Sequence, residues 1–164
     1  MIDTGTTQQD ILDWLQAVKD PEIPTVSLVD LGVIVGVHVD ETHVRVEMTP
    51  TFAGCPALDH MRREVEQTLR AHGVAAPEVV VTYDQPWTSD RINARGRAAL
   101  QSFGLAPPPP AGGLMLDLDV LEHVPCPHCS SDNTVMRSPF GPTLCRSLHR
   151  CDNCGEAFEQ FKPL

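Results

Sequence analysis

"HVRVEMTPTFAGCPALDHMRREVEQTLRAHG", residues 43–73, is the stretch that decides the fold of the first part of this chain. Its first residues alternate between apolar and polar, which predicts a strand with one buried face. Beyond a short loop, apolar residues recur at helical spacing from Pro56 to His72, and Gly73 suits the position just past a helix end. The apolar residues are Val44, Val46 and Met48 in the strand and Leu58, Met61, Val65 and Leu69 in the helix.

The flanking segments extend this pattern into a domain. A helix is predicted from Thr7 to Val18, with Thr7 and Asp10 as a capping pair. Valine-rich residues 31–40 are predicted to form a strand that pairs with the strand at residues 43–49. The two would make a hairpin that turns at Glu41 and Thr42. "EVVVTY", residues 78–83, predicts a buried strand, and a last helix runs from Ser89 or Asp90 to Phe103. This order of helices and strands predicts a compact α+β domain with helices packed on a short mixed sheet.

A proline-rich segment marks the boundary of this domain. In "APPPPAGG", residues 106–113, the prolines favour an extended spacer and the glycines restore flexibility. The chain is therefore predicted to divide into a domain over residues 1–105, a linker over residues 106–113 and a small C-terminal unit over residues 114–164.

The amino-acid composition limits the kinds of partner that this chain can bind. The chain has 164 residues, 22 acidic against 12 basic side chains, and a formal charge of −10. Nucleic acid is excluded because its affinity for proteins comes largely from lysine and arginine. No segment has the roughly 18 apolar residues of a membrane span, and no basic and apolar leader begins the chain, so we expect no membrane and a cytoplasmic location. A homodimer through the sheet edge stays open.

Five of the six cysteines lie in the C-terminal unit, and four of them form two pairs. "CPHC" holds Cys126 and Cys129, and "CDNC" holds Cys151 and Cys154. Paired thiolates at this spacing predict a tetrahedral four-sulfur site, the geometry that structural zinc accepts. A segment of about 40 residues has too small a core to fold unaided, so the metal must supply much of its folding free energy. Iron in a rubredoxin-like site is the alternative, because ligand softness and geometry do not separate the two metals.

The remaining C-terminal cysteine, Cys145, lies between the two pairs. It is interpreted as a small buried apolar residue, with a second functional thiol or a substitute ligand as the alternative. Two histidines lie near the pairs, His128 and His149, and both are predicted to be surface residues.

Cys55 lies at the joint of strand and helix. Pro56 fits the first helical turn, which makes Cys55 the predicted N-cap, where free backbone amides favour the reactive thiolate. The alternative is a buried structural cysteine. Thr51 belongs to the same small, hydroxylated loop, and Asp20 and Glu22 of "DPEIP" are candidate companions of the thiol.

Three stretches together resemble a known family of iron-sulfur-assembly proteins, once described as a domain of unknown function. They are "VKDPEIPTVSLVDLGVIVGV" (18–37), "MTPTFAGCPAL" (48–58) and "VTYDQPWTSDRINARGRAAL" (81–100). Bacterial SufT and the eukaryotic factor that targets clusters to cytosolic proteins belong to this family. The C-terminal unit, including "FGPTLC" and both cysteine pairs, is similar to the tail of the phenylacetate-degradation PaaD family (also called PaaJ). In these resemblances Cys55 matches the family cysteine, residues 20–22 match an acidic motif, and the four paired cysteines match the ribbon ligands.

The resemblance implies an accessory protein, not an enzyme, that helps to mature the multicomponent phenylacetyl-CoA epoxidase. Its cargo would be a transient iron-sulfur cluster or iron, held by Cys55 and destined for the epoxidase reductase or the di-iron oxygenase. Two alternatives stay open: a rubredoxin-like electron-transfer subunit, and a thiol oxidoreductase that uses Cys55 and Cys145.

Overall fold

The computed structural model describes residues 5–40, 43–109 and 124–162. The chain forms two compact units, one of residues 1–87 with 91–96 and one of residues 88–90 with 97–164. Among the described helices, none is long and apolar enough to cross a bilayer.

The first unit is a three-stranded mixed sheet with helices. It contains α1 (Gln8–Leu15), β1 (Ile34–Val39), β2 (Val44–Met48), α2 (Leu58–Ala71) and β3 (Glu78–Val81). The strand order is β1-β2-β3, with β1 antiparallel and β3 parallel to β2. The predicted α+β class and mixed sheet are therefore confirmed.

The core of this unit lies between the sheet and the helices α1 and α2. The alternation of β2 and the helical spacing of α2 place their apolar residues on buried faces, as predicted, except that Leu58 is only half-buried. At the start of α1, Thr7 and Asp10 form the predicted capping box, with Asp10 Oδ2 accepting from the Thr7 backbone N–H at 2.8 Å. The core residues from these elements are Ile11, Leu15, Val44, Val46, Met48, Met61, Val65 and Leu69.

The predicted helix from Ser89 or Asp90 to Phe103 is wrong in its first part. Residues Ser89–Arg91 form a short 3-10 helix, and α3 spans Ala94–Ser102. Asn93 separates them because its side-chain Oδ1 accepts from the backbone N–H of Gly96 at 2.8 Å, which caps α3 at its N-terminus.

The first hairpin strand also begins later than predicted. Leu31 and Gly32 form turns, in which Leu31 N–H donates to the Ser27 carbonyl at 2.9 Å and Gly32 adopts φ +75°. The chain therefore becomes extended only at Ile34. The predicted turn at residues 41–42 lies outside the described residues.

A buried carboxylate joins this turn to the start of α3. Asp30 is 5% exposed, and its Oδ1 accepts from Asn93 Nδ2 at 2.8 Å, while Arg95 lies 3.6 Å from its Oδ2. Burial alone would raise the pKa of the Asp30 carboxyl, yet its hydrogen bonds and the charge of Arg95 together hold it below the ordinary value. Sequence reasoning assigned no role to Asp30.

Replacing Asp30 by asparagine is expected to lower the free energy of unfolding at neutral pH by about 1–3 kcal/mol. The pKa of Asp30 is lower in the folded state than its value of about 3.9 in the unfolded chain. The carboxylate therefore stabilises the fold fully above the unfolded pKa, and this contribution is lost as the pH falls through the folded pKa. Urea titrations from about pH 5 to pH 3 should therefore show a smaller acid loss for Asp30→Asn than for the wild type. The exposed Asp59→Asn is the control, and an unchanged acid loss in Asp30→Asn would contradict the assignment.

The second unit is a β-ribbon. It contains β4 (Leu105–Ala106), β5 (Thr134–Ser138), β6 (Arg146–Cys151) and β7 (Ala157–Phe161), in the order β4-β7-β6-β5. Strands β5, β6 and β7 pair antiparallel, and β4 pairs parallel with β7. Ala106, the first residue of the predicted linker, thus belongs to this sheet. The division at residues 106–113 stays a prediction because residues 110–113 lie outside the described part.

Candidate metal centre and cysteine loop

The two cysteine pairs lie on two turns with the same local design. In each turn, the residue four positions after the first cysteine donates its backbone N–H to that cysteine's carbonyl: Ser130 to Cys126 at 2.8 Å and Gly155 to Cys151 at 2.9 Å. Both donors have positive φ, +60° and +80°. Gly155 adopts this conformation at little steric cost. Each turn therefore brings its two sulfur atoms to the same side.

The four sulfur atoms fit a tetrahedral metal site. The ligand atoms of Cys126, Cys129, Cys151 and Cys154 all lie within 4.8 Å of one another. Cys126 Sγ is 3.8 Å from Cys154 Sγ, and Cys129 Sγ is 3.6 Å from Cys151 Sγ. Four sulfurs at about 2.3 Å from a central zinc would be about 3.8 Å apart, whereas disulfide sulfurs are about 2.05 Å apart. The donor set therefore fits a zinc ion and forms no disulfide.

Neighbouring groups favour the thiolate form of Cys129 and disfavour the thiolate form of Cys154. The backbone amide of Ser131, followed by the Asn153 side chain, lowers the pKa of the Cys129 thiol to about 7. The pKa of Cys154 is raised to about 12, even though the Glu156 amide lowers it, because desolvation and the other three thiols disfavour another negative charge. Four thiolates at this spacing therefore require a cation. Sequence reasoning missed Asn153, whose Nδ2 lies 3.7 Å from Cys129 Sγ.

The other sequence-selected residues of the ribbon are placed differently. Cys145 is 7% exposed, and its Sγ lies 3.1 Å from Thr143 Oγ1. His128 is exposed, as predicted. The prediction that His149 is a surface residue is wrong: it is 1% exposed, stacks on Phe158 with ring centroids 5.4 Å apart, and has its pKa lowered by burial. It points into the ribbon because it lies on a buried position of β6, a feature of strand pairing that the sequence did not show.

Cys55 lies in the loop between β2 and α2, but it is not the N-cap. The helix begins at Leu58 with Ala57 as N-cap, and no described side chain caps it. Cys55 instead forms two turns: its N–H donates to the Phe52 carbonyl at 3.2 Å, and its own carbonyl accepts from Leu58 N–H at 3.4 Å. Pro56 stands in the second of these turns, which delays the helix. The side chain of Cys55 is half-buried.

The position of this loop is favourable for binding. It follows the carboxyl end of β2, which pairs in parallel with β3 after α2. In sheets with parallel strands, ligands bind outside the carboxyl ends of those strands. Thr49 is buried, Thr51 is half-buried, and Ala53 and Gly54 are exposed, so small residues make up much of the loop that carries Cys55.

The predicted acidic companions lie in another loop of the same unit. Asp20 Oδ1 accepts from the backbone N–H groups of Glu22 at 2.8 Å and Ile23 at 3.0 Å, so this carboxylate shapes its own turn. The Glu22 side chain is exposed. These contacts explain the aspartate of "DPEIP" by local structure.

The fold and the two cysteine-containing sites define a class of protein, an α+β domain with a loop cysteine followed by a four-cysteine ribbon. Residues 8–81 match the family described as "Iron-sulfur cluster assembly protein", and residues 116–162 match the "PaaD zinc beta ribbon domain". The chain is also 34% identical over 148 residues to a protein of Escherichia coli (strain K12) whose name describes it as a subunit of a "Putative 1,2-phenylacetyl-CoA epoxidase", covering 90% of this chain and 88% of that protein. The chain belongs to the PaaD family.

Other relatives match a smaller share of the chain. A "Fe-S protein maturation auxiliary factor" of Porphyromonas gingivalis is 36% identical over 89 residues, which is 53% of this chain and 84% of that protein. A crystal structure of a domain of unknown function from Bacillus anthracis is 31% identical with a TM-score of 0.53, over 57% of this chain and 90% of that one. A conserved hypothetical protein from Thermotoga maritima is 30% identical with a TM-score of 0.51, over 63% of this chain and 99% of that one.

Proposed function

We propose that this chain is a non-catalytic maturation factor that helps to assemble an iron-sulfur cluster or iron centre of the phenylacetyl-CoA epoxidase. Similarity over nearly the whole chain to a protein named as an epoxidase subunit, and partial similarity to maturation auxiliary factors, support this role. The recipient is the reductase or the di-iron oxygenase of the epoxidase. The protein acts in the cytoplasm, where thiols stay reduced.

Cys55 is the proposed transient ligand of the cargo. The observation that carries this assignment is a half-buried thiol in the loop after a parallel strand of the assembly domain. A ligand that receives and releases iron must be reachable, and a half-buried thiol is reachable without being fully solvated. Its single sulfur also holds the cargo more weakly than a four-sulfur site would.

The four ribbon cysteines hold a structural zinc ion in this proposal. The spacing of their sulfur atoms fits zinc, and Cys126 and Cys151 belong to the small apolar cluster of the ribbon. A filled four-cysteine shell leaves no open position for a substrate. The ribbon therefore supports docking and does not carry the cargo. The same sulfur spacing also admits iron, so the metal content distinguishes this role from that of a rubredoxin-like electron carrier.

Replacing Cys55 by serine is expected to leave the chain folded while epoxidase that is co-expressed with the variant loses its iron. Serine is close in size to cysteine, but it is a poor ligand for iron in a sulfur-rich centre. Iron and labile sulfide per epoxidase, together with epoxidase activity, should fall to the level found without this chain. Ala53→Ser, an exposed change in the same loop, is the matched control and should support full loading.

Two outcomes would contradict the proposal. Full loading of the epoxidase by Cys55→Ser would show that this cysteine is structural. A purified chain that contains iron in place of zinc, with iron retained in Cys55→Ser, would favour the electron carrier.

A further inference from the structure

The loop of the ribbon hairpin exposes two large apolar side chains. Residues 139–144, here called the hairpin tip, lie in the loop that connects β5 to β6. Within the tip, Phe140 is 66% exposed and Leu144 is 64% exposed. Single exposed apolar residues are ordinary on a protein surface, but two large ones within one short loop form a patch that commonly marks an interaction site.

Hydrogen bonds brace the backbone of the hairpin tip. Ser138 Oγ accepts from Phe140 N–H at 3.1 Å and donates to the Phe140 carbonyl at 2.8 Å. Gly141 N–H donates to the Arg146 carbonyl at 2.9 Å, and a Cβ on Gly141 would approach that oxygen to 3.1 Å. These bonds order the backbone that carries the two apolar side chains, which reduces the entropy lost on binding.

A cation from the end of the chain lies against the hairpin tip. Lys162 Nζ donates to the Leu144 carbonyl at 2.9 Å and lies 5.2 Å from the centre of the Phe140 ring. This arrangement ties Lys162 to both apolar residues of the tip and leaves a positive charge beside them.

The segment that carries the tip is basic, although the whole chain is acidic. The chain carries 22 acidic and 12 basic side chains, yet no aspartate or glutamate occurs from residue 133 to residue 151. Arg137 precedes the tip and is exposed, and Lys162 packs on the Phe140 ring of the tip. An apolar patch with cations at its edge is complementary to an apolar pocket with carboxylates at its edge.

We infer that the hairpin tip docks into an apolar pocket, rimmed by carboxylates, on a subunit of the epoxidase. This inference rests on the proposed function, since it names the surface by which the factor engages its recipient. Phe140 and Leu144 act as the anchors, and Arg137 and Lys162 orient the encounter. A protein surface fits better than an anionic membrane, because the net charge of −10 opposes adhesion to anionic lipid.

The test measures binding of the full chain to purified epoxidase by biolayer interferometry. The double variant Phe140→Ser/Leu144→Ser should weaken the Kd by at least about tenfold, as expected for the loss of two apolar anchors. Val135→Ser removes a 42%-exposed apolar residue of the same hairpin outside the tip and should leave the Kd unchanged. Arg137→Glu/Lys162→Glu should weaken binding at low salt and reduce its salt dependence. Zinc content and circular dichroism confirm that each variant is folded.

The outcomes separate this inference from the proposed function. If the wild type binds the epoxidase and the double serine variant binds equally well, the docking surface is wrong and the maturation role stands. If the wild type does not bind the epoxidase at all, both are overturned. If the double variant loses binding only to phosphatidylglycerol vesicles and keeps its affinity for the epoxidase, the tip is a lipid contact and the inference is wrong.

Discussion

Removing the metal from the ribbon is expected to unfold the second unit while the first unit stays folded. Cys126 and Cys151 are buried and belong to the small apolar cluster of the ribbon, whose other members are Ala106, Val124 and Phe158. Structural zinc in small domains contributes about 10–16 kcal/mol, which is comparable to the whole stability of a domain. An apolar cluster of this size does not replace that contribution.

The change to make is Cys151→Ser in the full chain, compared with the wild type treated with a chelator. The variant and the chelator-treated wild type should both lack zinc. In both, the amides of β6 and β7 should exchange faster, while the amides of α1 and α2 remain protected. Hydrogen exchange resolved by peptide measures each unit separately. Cys145→Ala is the matched control, because it removes a buried cysteine that is not among the four clustered thiols. Unchanged protection of β6 in Cys151→Ser would show that the ribbon does not depend on its metal.

Gly96→Ala is expected to destabilise the first unit strongly, which is the opposite of what helix propensity predicts. Gly96 lies in the first turn of α3, where exchanging glycine for alanine normally stabilises a helix by up to about 1 kcal/mol. A Cβ at this position would lie 2.4 Å from the Asp30 carbonyl oxygen and 2.9 Å from Ile92 Cγ2. The backbone around Asp30 would have to move, which would disturb its buried hydrogen bonds.

The expected loss is about 3 kcal/mol or more, in the range of severe overpacking and of broken buried polar networks. Urea denaturation, followed by a signal from the first unit, measures it. Gly5→Ala is the control, because a Cβ on Gly5 meets nothing within 4 Å and should leave the stability unchanged. If Gly96→Ala is as stable as the wild type, the close approach of α3 to the Asp30 turn is not maintained in solution.

Sequence reasoning was most accurate where periodicity and spacing act locally. The alternation in β2 and the spacing in α2 determine which side of each element is apolar, and burial follows from that. The two cysteine pairs were also found from spacing, since a turn of four residues sets the positions of both sulfurs. The position of Cys55 was predicted less well, because the turns from Phe52 to Cys55 and from Cys55 to Leu58 moved the N-cap two residues beyond the predicted position, to Ala57.

The sequence by itself determined, for the first unit, the order of helices and strands and their apolar faces, and it determined the four clustered thiols of the ribbon. Only the tertiary structure decided that Asp30 is buried beside Asn93, that His149 points into the ribbon and that Phe140 and Leu144 stay exposed. The physical reason is distance along the chain: Asn93 is 63 residues from Asp30, and Lys162 is 18 residues from Leu144. Burial and pairing at such separations depend on how the whole unit folds, and no local pattern encodes them.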